Sequence, residues 1–370
     1  MLEVFSSTSF KELDFSSIEF KDNTFLAKEF FLALEVSGSI GKDSGWIPFP
    51  IIAKDNGVVV GCMPIFLKEH SYGEYIFDWS WAEAFQRHGL SYYPKLVCAI
   101  PFTPVTGPRI LAINNKIKKL LIKSLEKIMH QHKISSCHFL FTNSDDQKIL
   151  SKEGWMQRQG VQFKWENKKY KDFDAFLNTL SQSKRKKIRQ ERKKVATYNL
   201  IIKRKKGFDI SKEDLNFMYE CYCQTYALHH SSPYLNRDFF FTLHEKMPEK
   251  LLLIQAYKNQ KPIAAALNII SNNKLYGRYW GSMEYLPNLH FELCYYQGQE
   301  FCIENNLEFF EGGAQGEHKI ARGFVPFDTF SSHYIVNNEF RKAISKFLDE
   351  EENKMNIYVE ELEERLPYKK

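Results

Sequence analysis

The sequence has no hydrophobic run long enough to cross a bilayer. The longest apolar stretches, such as Leu251–Ile254 and Ile263–Leu267, fall far short of the roughly 20 residues that a transmembrane helix needs. The first fifteen residues, MLEVFSSTSFKELDF, also lack the basic segment followed by an apolar segment that marks a secretory signal. We therefore expect a cytoplasmic protein without a transmembrane segment.

Several catalytic signatures are missing as well. The chain has no Gly-x-Ser-x-Gly element, no Walker A loop and no GxGxxG fingerprint, which argues against a serine hydrolase, a P-loop enzyme and a Rossmann dehydrogenase. The seven cysteines form no CxxC pair, so we expect reduced structural thiols. No HxxxH or HExxH spacing supports a metal site, and we predict none.

What is present is the composition of a folded globular protein. Hydrophobic residues make up 44% of the 370 residues and aromatic residues 15%, and this length suggests two domains. Both halves show helix, strand hairpin, aromatic strand, helix and strand, with the aromatic strands at Tyr75–Ser80 and Leu275–Trp280. The Asn56-Gly57 pair predicts the turn of the first hairpin, and the predicted helices include Lys116–His132 and Leu289–Asn305. We predict a duplicated α/β (α+β) domain with a mixed sheet flanked by helices. The expected limits are 1–166, 167–345 and an acidic, solvated helical tail at 346–370.

Positive charge is concentrated in one segment. The net charge is +6, but Lys184–Lys206 alone carries twelve Lys or Arg residues against one Glu. We predict a basic helix at Lys184–Lys194 that contacts the phosphates of a nucleotide, a tRNA or an acyl carrier. The alternative is a solvated helix face with Ile188 as its only deep anchor. The predicted contact residues are Lys184, Arg185, Lys187 and Arg189.

The loop within Leu307–Phe327 combines flexible backbone with functional groups. A short apolar strand runs into Gly312 and Gly313, and glycines let a ligand approach the backbone closely. Functional groups on a loop held by a strand are a common way to display chemistry, although a solvated connection with ordinary surface charge is the alternative. The polar candidates on this loop are Gln315, Glu317, His318, Lys319 and Arg322.

A second group of candidates lies just upstream of that loop. Arg278 lies in an aromatic strand, and His290 and Glu292 follow at the start of a helix, where the helix dipole favours anions. Glu292 could act as a base or hold a ligand's amine. The structural alternative is that Glu292 pairs with Arg278 while His290 caps the helix.

Aromatic residues also cluster in the first half. Trp79 and Trp81, followed by Tyr93 and Lys95, suggest the mouth of an aromatic-lined pocket that binds substrate. Ordinary packing is the alternative for the same residues.

Seven motifs follow one another along the chain: FDWSWAEAF, YYPKL, PFTPVTGPRIL, SKRKKIRQER, LYGRYWG, LHFELCYYQG and FEGGAQGEHKIARGF. In this order they resemble a bacterial family of peptidoglycan biosynthesis and recognition proteins, predicted N-acyltransferases related to FemAB enzymes. The resemblance covers about Phe25 to Leu348. It implies two GNAT-like domains, and FemAB enzymes use aminoacyl-tRNA to extend a peptidoglycan precursor. The long helical arm of many FemAB proteins and the acetyl-CoA loop of ordinary GNAT enzymes are both missing here.

The resemblance implies transfer of an acyl or aminoacyl group to an amine. That reaction needs a neutral nucleophile, a proton acceptor and donors for the developing oxyanion. Glu292, Glu317 or His318 could accept the proton or anchor the amine, with Lys319, Arg322 and the amides of Gly312–Gly316 facing the carbonyl or phosphate. The co-substrate is acyl-CoA or aminoacyl-tRNA, and no tightly bound cofactor is expected.

A non-catalytic binding module for an anionic cell-wall precursor or RNA is the second hypothesis, because a fold does not fix a function. The sequence indicates no oligomeric state.

Overall fold

A computed structural model describes residues 1–11, 18, 23–313 and 316–369. In the chain so described, fifteen strands form two sheets. They are β1 (Leu2–Ser6), β2 (Trp46–Pro48), β3 (Ile51–Asp55), β4 (Val58–Met63), β5 (Ile65–Lys68), β6 (Lys95–Cys98), β7 (Leu111–Ala112), β8 (Ser136–Thr142), β9 (Met156–Glu166), β10 (Ile201–Lys206), β11 (Leu251–Lys258), β12 (Lys261–Ser271), β13 (Lys274–Ser282), β14 (Phe309–Glu311) and β15 (Val325–Ile335).

The α-helices of the same ranges connect these strands. They are α1 (Lys28–Val36), α2 (Trp79–Arg87), α3 (Asn115–Gln131), α4 (Ser144–Lys152), α5 (Phe173–Thr179), α6 (Gln182–Ala196), α7 (Lys212–Leu228), α8 (Arg237–Lys246), α9 (Leu289–Phe291), α10 (Gln297–Glu304) and α11 (Asn338–Glu364). A π-helical turn, Glu292–Tyr296, joins α9 to α10, and a 3-10 segment, Glu317–Arg322, precedes β15. Among the described residues, no helix is both long and apolar enough to span a membrane.

The described residues divide into two compact units. The first unit takes its residues from 1–21, 26–161 and 328–358, and the second from 22–25, 162–327 and 359–370. The sequence predicts contiguous domains, whereas each unit here draws on separate stretches of the chain. The reason in the first unit is that β15 returns residues from 328 onward to pair antiparallel with β8.

The first unit contains two groups of strands. Strands β1, β3, β4 and β7 pair antiparallel in that order, and the predicted Asn56-Gly57 hairpin joins β3 to β4 with positive φ at both turn residues. Strands β15, β8, β6, β5 and β2 follow one another in the second group, with β6 parallel to β8. The amphipathic helix α3 buries Leu121, Leu125 and Met129 in the core of this unit.

The predicted aromatic strand Tyr75–Ser80 is wrong. This stretch is a loop that ends at the start of α2, and Tyr75 adopts a positive φ of 61°. The loop turns because Glu74 and Asp78 both point inward to the buried ammonium group of Lys95. The alternation of aromatic and polar residues resembles a strand, but the partner that bends the chain lies about twenty residues away.

The second unit is built on one sheet of strands β10, β11, β12, β13, β14 and the end of β9. Strands β10 to β13 form an antiparallel meander, whereas β14 runs parallel to β13 and antiparallel to β9. A parallel pair needs a crossover connection. Helices α9 and α10, with the π-helical turn between them, supply that crossover between β13 and β14. The predicted mixed α/β class is therefore confirmed.

Four local features of the second half differ from the sequence prediction. The single helix expected at Leu289–Asn305 is interrupted by the π-helical turn, and the loop after Gly313 contains the 3-10 segment. Strand β15 was not predicted. The tail is also less solvated than its acidic composition indicates, because α11 buries Leu348 and Leu362.

Candidate functional site

A small pocket of about 160 Å³ opens in the second unit where β12 and β13 meet the start of the crossover. Its walls come from two adjacent strands, from the first turns of the crossover and from the glycine turn that follows β14. The lining residues are Ala266, Leu267, Asn268, Gly277, Arg278, Tyr279, Trp280, His290, Cys294, Tyr295, Gly312 and Gly313.

Two of these walls depend on glycine. Gly313 has a φ of 88°, a conformation that side chains with a Cβ rarely adopt. A Cβ at Gly312 would stand 3.0 Å from the ring of Phe324, so a larger residue would have to displace that ring. The structure thus brings both predicted glycines to the pocket and explains why this turn carries them.

A histidine and a tyrosine form a hydrogen-bonded pair at this site. The hydroxyl of Tyr295, which lines the pocket, lies 2.8 Å from Nε2 of His318. Burial, with the positive charges of Arg322 and Lys319, lowers the pKa of His318 below its usual value. The imidazole is therefore neutral at pH 7 and able to accept a proton. Sequence analysis named His318 but missed Tyr295, whose only signal was its position in a Tyr-Tyr pair three residues after Glu292.

His290 lines the same pocket, and its imidazole is also kept neutral. Burial lowers its pKa to about 4, with further contributions from His318, Arg322 and Lys319. Its ring packs against Trp280 and Tyr295 at centroid distances of 5.2 and 5.4 Å. A neutral imidazole at this place can donate or accept a hydrogen bond without adding charge.

Lys319 is buried behind the glycine turn. Its Nζ donates a hydrogen bond of 2.7 Å to the carbonyl of Gly313, and burial lowers its pKa to about 7. The expectation was that this ammonium group faces a substrate carbonyl or phosphate. The structure instead uses it to fix the turn that forms one wall of the pocket.

Glu292 is engaged by a cation that the sequence analysis did not consider. Its carboxylate accepts hydrogen bonds from Nε and Nη2 of Arg192 at 3.1 and 3.0 Å, and another from Gln297 at 2.8 Å. The pairing with Arg278 weighed from the sequence is therefore not observed. Glu292 is 3% exposed and already bound on both oxygens, and its role as a base or amine anchor stays a prediction.

Glu317, unlike Glu292, is exposed to solvent. Its side chain is about half exposed and forms an ion pair of 2.7 Å with Arg365, which is equally exposed. An exposed pair of this kind contributes little to stability and leaves the carboxylate in water. The structure does not bring Glu317 into the pocket lining.

Arg322 is buried in a clamp rather than directed at the pocket. Its guanidinium donates to Glu191 and to the carbonyl of His318, both at 2.7 Å, and stacks 3.3 Å from the centroid of Phe291. Arg278 does line the pocket, as expected for a substrate contact. Gln315 lies outside the described residues.

Helix α6 carries the predicted cations on its outer side. A groove of about 360 Å³ is lined there by Gln182, Arg185, Lys186, Arg189, Gln190 and Lys193. Arg185 and Arg189 thus lie in one groove, whereas Lys184 and Lys187 are not part of its lining. On the inner side Ile188 is not the only anchor, because Glu191 and Val195 are buried as well.

The four candidates of the predicted aromatic pocket in the first unit differ in how deeply they are buried. Trp81 is buried and packs edge-on against His333 at 5.0 Å, and Trp79 is partly exposed. The hydroxyl of Tyr93 lies 2.8 Å from Ser71. Lys95 is completely buried and donates to Ser71, Glu74 and Asp78. The predicted pocket mouth at Trp81 and Lys95 is therefore wrong, because both residues belong to the interior.

That interior holds a polar network which sequence analysis missed. The Tyr92 hydroxyl donates to Asp78 and contacts Nε2 of His138 at 3.0 Å, while Nδ1 of His138 lies 2.8 Å from Nδ1 of His333. Burial lowers the pKa of His138 to about 3 and that of His333 well below its usual value. The residues come from distant parts of the sequence, so spacing gave no signal. In the ranges described, no three His, Cys, Asp or Glu side chains converge as metal ligands.

Comparisons with known proteins agree with this fold. Residues 6–370 match the FemAB-like family, described as peptidoglycan biosynthesis/recognition. FemX is similar in structure with a TM-score of 0.53 and 12% identity, covering 86% of this chain and 93% of FemX. L-PGS from Bacillus licheniformis has a TM-score of 0.52 and 11% identity, covering 88% and 97%.

The C-terminal domain of a putative lysylphosphatidylglycerol synthetase from Agrobacterium fabrum has a TM-score of 0.50 and 8% identity, covering 77% of this chain and 85% of that domain. No curated protein matches the sequence. At these identities the structural similarities establish the fold alone.

Proposed function

Because the chain belongs to the FemAB-like family of peptidoglycan biosynthesis and recognition, we propose that it is an N-acyltransferase that moves an acyl or aminoacyl group onto an amine. The observation that carries this proposal is the hydrogen-bonded pair of Tyr295 and His318 beside the pocket of the second unit. The acceptor that fits the family is a peptidoglycan precursor peptide with a free amine.

The pair supplies the proton acceptor that this reaction needs. The acceptor amine attacks the acyl carbonyl, the bond from the carbonyl carbon to the donor's sulfur or oxygen breaks, and the nitrogen must lose a proton. In the proposed route the proton passes to the Tyr295 oxygen while the Tyr295 proton moves to Nε2 of His318, and the departing sulfur or oxygen of the donor takes up a proton from solvent. General base catalysis of this kind contributes about 10²- to 10⁴-fold.

The groove on α6 is the proposed contact for the donor. Arg185, Lys186, Arg189 and Lys193 present four cations at the surface, and such groups bind phosphates with little dependence on sequence. Both candidate donors, acyl-CoA and aminoacyl-tRNA, carry phosphates. The groove therefore accounts for an anionic donor and does not by itself choose between them.

Incubation of the purified protein with a peptidoglycan precursor peptide tests the proposal. One reaction contains a mixture of aminoacyl-tRNAs and the other contains acetyl-CoA, and mass spectrometry detects the modified peptide. We expect an added residue or acyl group with wild type and a loss of about 100-fold or more with Tyr295→Phe and His318→Ala. Product that forms equally with both variants would remove the proposed site. The absence of product in both reactions would contradict transfer to this acceptor.

A second candidate function is a binding module for an anionic precursor or RNA. The observation in its favour is that both predicted catalytic carboxylates are held in ion pairs, Glu292 by Arg192 and Glu317 by Arg365, while the cationic groove is solvent-exposed. Under this function, binding of tRNA or precursor weakens with salt and with Arg189→Ala, but not with His318→Ala. No transfer product forms with either donor.

A further inference from the structure

Helix α6 carries two adjacent residues of opposite charge that are withdrawn from solvent. Glu191 is buried on the side of the helix that also buries Ile188 and Val195, and Arg192 is partly buried. Burying charge is costly, and replacing a buried ion pair by apolar residues is often neutral or stabilising. Their contacts therefore invite an explanation other than stability.

Glu191 bridges the two elements that carry the Tyr295–His318 pair. One carboxylate oxygen accepts a hydrogen bond from the hydroxyl of Tyr296, the last residue of the π-helical turn. The other accepts from Nη2 of Arg322 at 2.7 Å. Tyr295 directly precedes Tyr296 in the chain, and His318 lies one turn before Arg322.

Arg322 completes the path to His318. Its Nη1 donates 2.7 Å to the carbonyl oxygen of His318, and its guanidinium lies flat on the ring of Phe291. Because it is planar and binds through a fork of fixed geometry, arginine orients the groups it contacts. Glu191 thus holds Arg322, and Arg322 holds the backbone of His318.

Arg192 makes the same kind of connection at the other end of the π-helical turn. It binds both oxygens of Glu292, the first residue of the turn, and Glu300 of α10 at 2.6 Å. π-Helical turns are uncommon and occur frequently at functional sites. Helix α6 therefore fixes both ends of the turn that brings Tyr295 to the pocket.

We infer that Glu191 is a positioning residue, which acts through Arg322 and Tyr296 to set His318 against Tyr295 beside the pocket. Arg192 supports the same arrangement through Glu292. One helix then presents cations to an anionic ligand on its outer face and aligns the proton-accepting pair with its inner face. This inference rests on the proposed transferase function for its kinetic consequence, but its geometric content stands independently.

The kinetic test uses Glu191→Gln, which keeps the size of the side chain and removes its charge. A positioning role predicts a fall in kcat of about 10- to 100-fold while KM for the donor stays within about twofold, since misplacement of catalytic groups mainly affects turnover. The double variant Glu191→Gln/Arg322→Gln should be no slower than the slower single variant, because the two residues act as a unit. Glu245→Gln, an exposed glutamate on α8, is the matched control.

A second measurement needs no turnover. Histidine labelled with ¹³C at Cε1 gives an NMR titration of His318, whose signal is assigned by its loss in His318→Ala. Removing the Glu191 charge leaves Arg322 uncompensated, so the pKa of His318 should fall further in Glu191→Gln and stay unchanged in Glu245→Gln. Thermal denaturation checks that both variants are folded.

The outcomes separate this inference from the proposed function. If wild type shows no transfer but the His318 titration shifts as stated, the transferase proposal fails and the positioning geometry stands. An unshifted titration in a folded Glu191→Gln variant overturns the inference, and an unchanged kcat does the same if wild type is active. Equal falls in kcat and in affinity for the donor would also overturn it, because the residue would then serve binding.

Discussion

The two units place similar side chains in opposite settings. The first unit joins Lys95, Asp78, Tyr92 and His138 in a network in which every residue is buried. In the second unit, by contrast, the buried Tyr295 lines a pocket, and His318, to which it is hydrogen-bonded, is exposed. Tyrosine and histidine thus maintain the interior of one unit and form the proposed proton acceptor of the other. Access to solvent or to a pocket, rather than residue type, therefore distinguishes a candidate site from a structural network.

Lys95→Ala is the strongest way to test that comparison. Removing the ammonium group leaves the carboxylate of Asp78 buried without its cation and leaves Glu74 with only Lys68, at 4.0 Å. Breaking a buried pair in this way costs about 3–5 kcal/mol. The free energy of unfolding, measured by urea denaturation, should fall by that amount. Lys127→Ala, an exposed position on α3, should change it little. A stable Lys95→Ala protein with weaker substrate binding would instead restore the pocket predicted from the sequence.

His318→Ala tests whether the histidine of the second unit serves turnover rather than stability. We expect turnover to fall about 10²- to 10³-fold, because the variant loses its proton acceptor, while the free energy of unfolding changes by less than about 1 kcal/mol. Steady-state rates and urea denaturation give the two quantities. His229→Ala, an exposed histidine after α7, provides the control. A large loss of stability would place His318 with the structural histidines of the first unit.

Mild acid should destabilise the first unit through its buried histidines. The folded-state pKa of His138 is about 3 and that of His333 is also lowered by burial, whereas both are near 6.5 in an unfolded chain. The unfolded state therefore binds more protons below pH 6.5, and stability falls as the pH drops. Each group contributes up to about 1.4 kcal/mol per pH unit.

Denaturation between pH 7 and pH 5 measures this slope. His138→Gln should make it shallower, and His88→Gln, at an exposed position after α2, should leave it unchanged. A slope that is the same in both variants would show that His138 is not neutral in the folded protein.

Glu317→Ala should have the smallest effect. Its ion pair with Arg365 is exposed on both sides, and such pairs contribute about 0.2–1 kcal/mol. We expect turnover within about twofold of wild type. Rates measured beside those of His318→Ala decide the matter, because a loss of several orders of magnitude would return Glu317 to the role of catalytic base.

Local signals in the sequence predicted much of the fold. The Asn56-Gly57 turn identified the β3–β4 hairpin, and the spacing of apolar residues identified helices such as α3 within one or two residues of their ends. The glycine pair at 312 and 313 located one wall of the pocket. In each case the determining residues lie within a few positions of one another.

The remaining features depend on partners far apart in the chain. Glu292 and Arg322 were expected to act on a substrate, but Arg192 and Glu191, more than 90 residues earlier, occupy them. A sequence shows that a residue is charged but not whether its side chain forms an ion pair. Residue spacing therefore could not distinguish a substrate contact from an internal ion pair. Likewise Tyr75–Ser80 has the alternation of a strand, and only the position of Lys95 explains why it bends.

Strand β10 has a consequence for the behaviour of the protein in solution. It lies at the end of the strand order in the second unit, and four of its six residues are Lys or Arg. An exposed strand edge is a template for pairing with another molecule, and lysine on that edge opposes such pairing. Two copies that met edge to edge would bring eight cations together, although Arg204 and Lys205 of each copy are paired with Glu304 and Asp214. Charge repulsion therefore disfavours fibre-like association through this edge, most strongly at low salt.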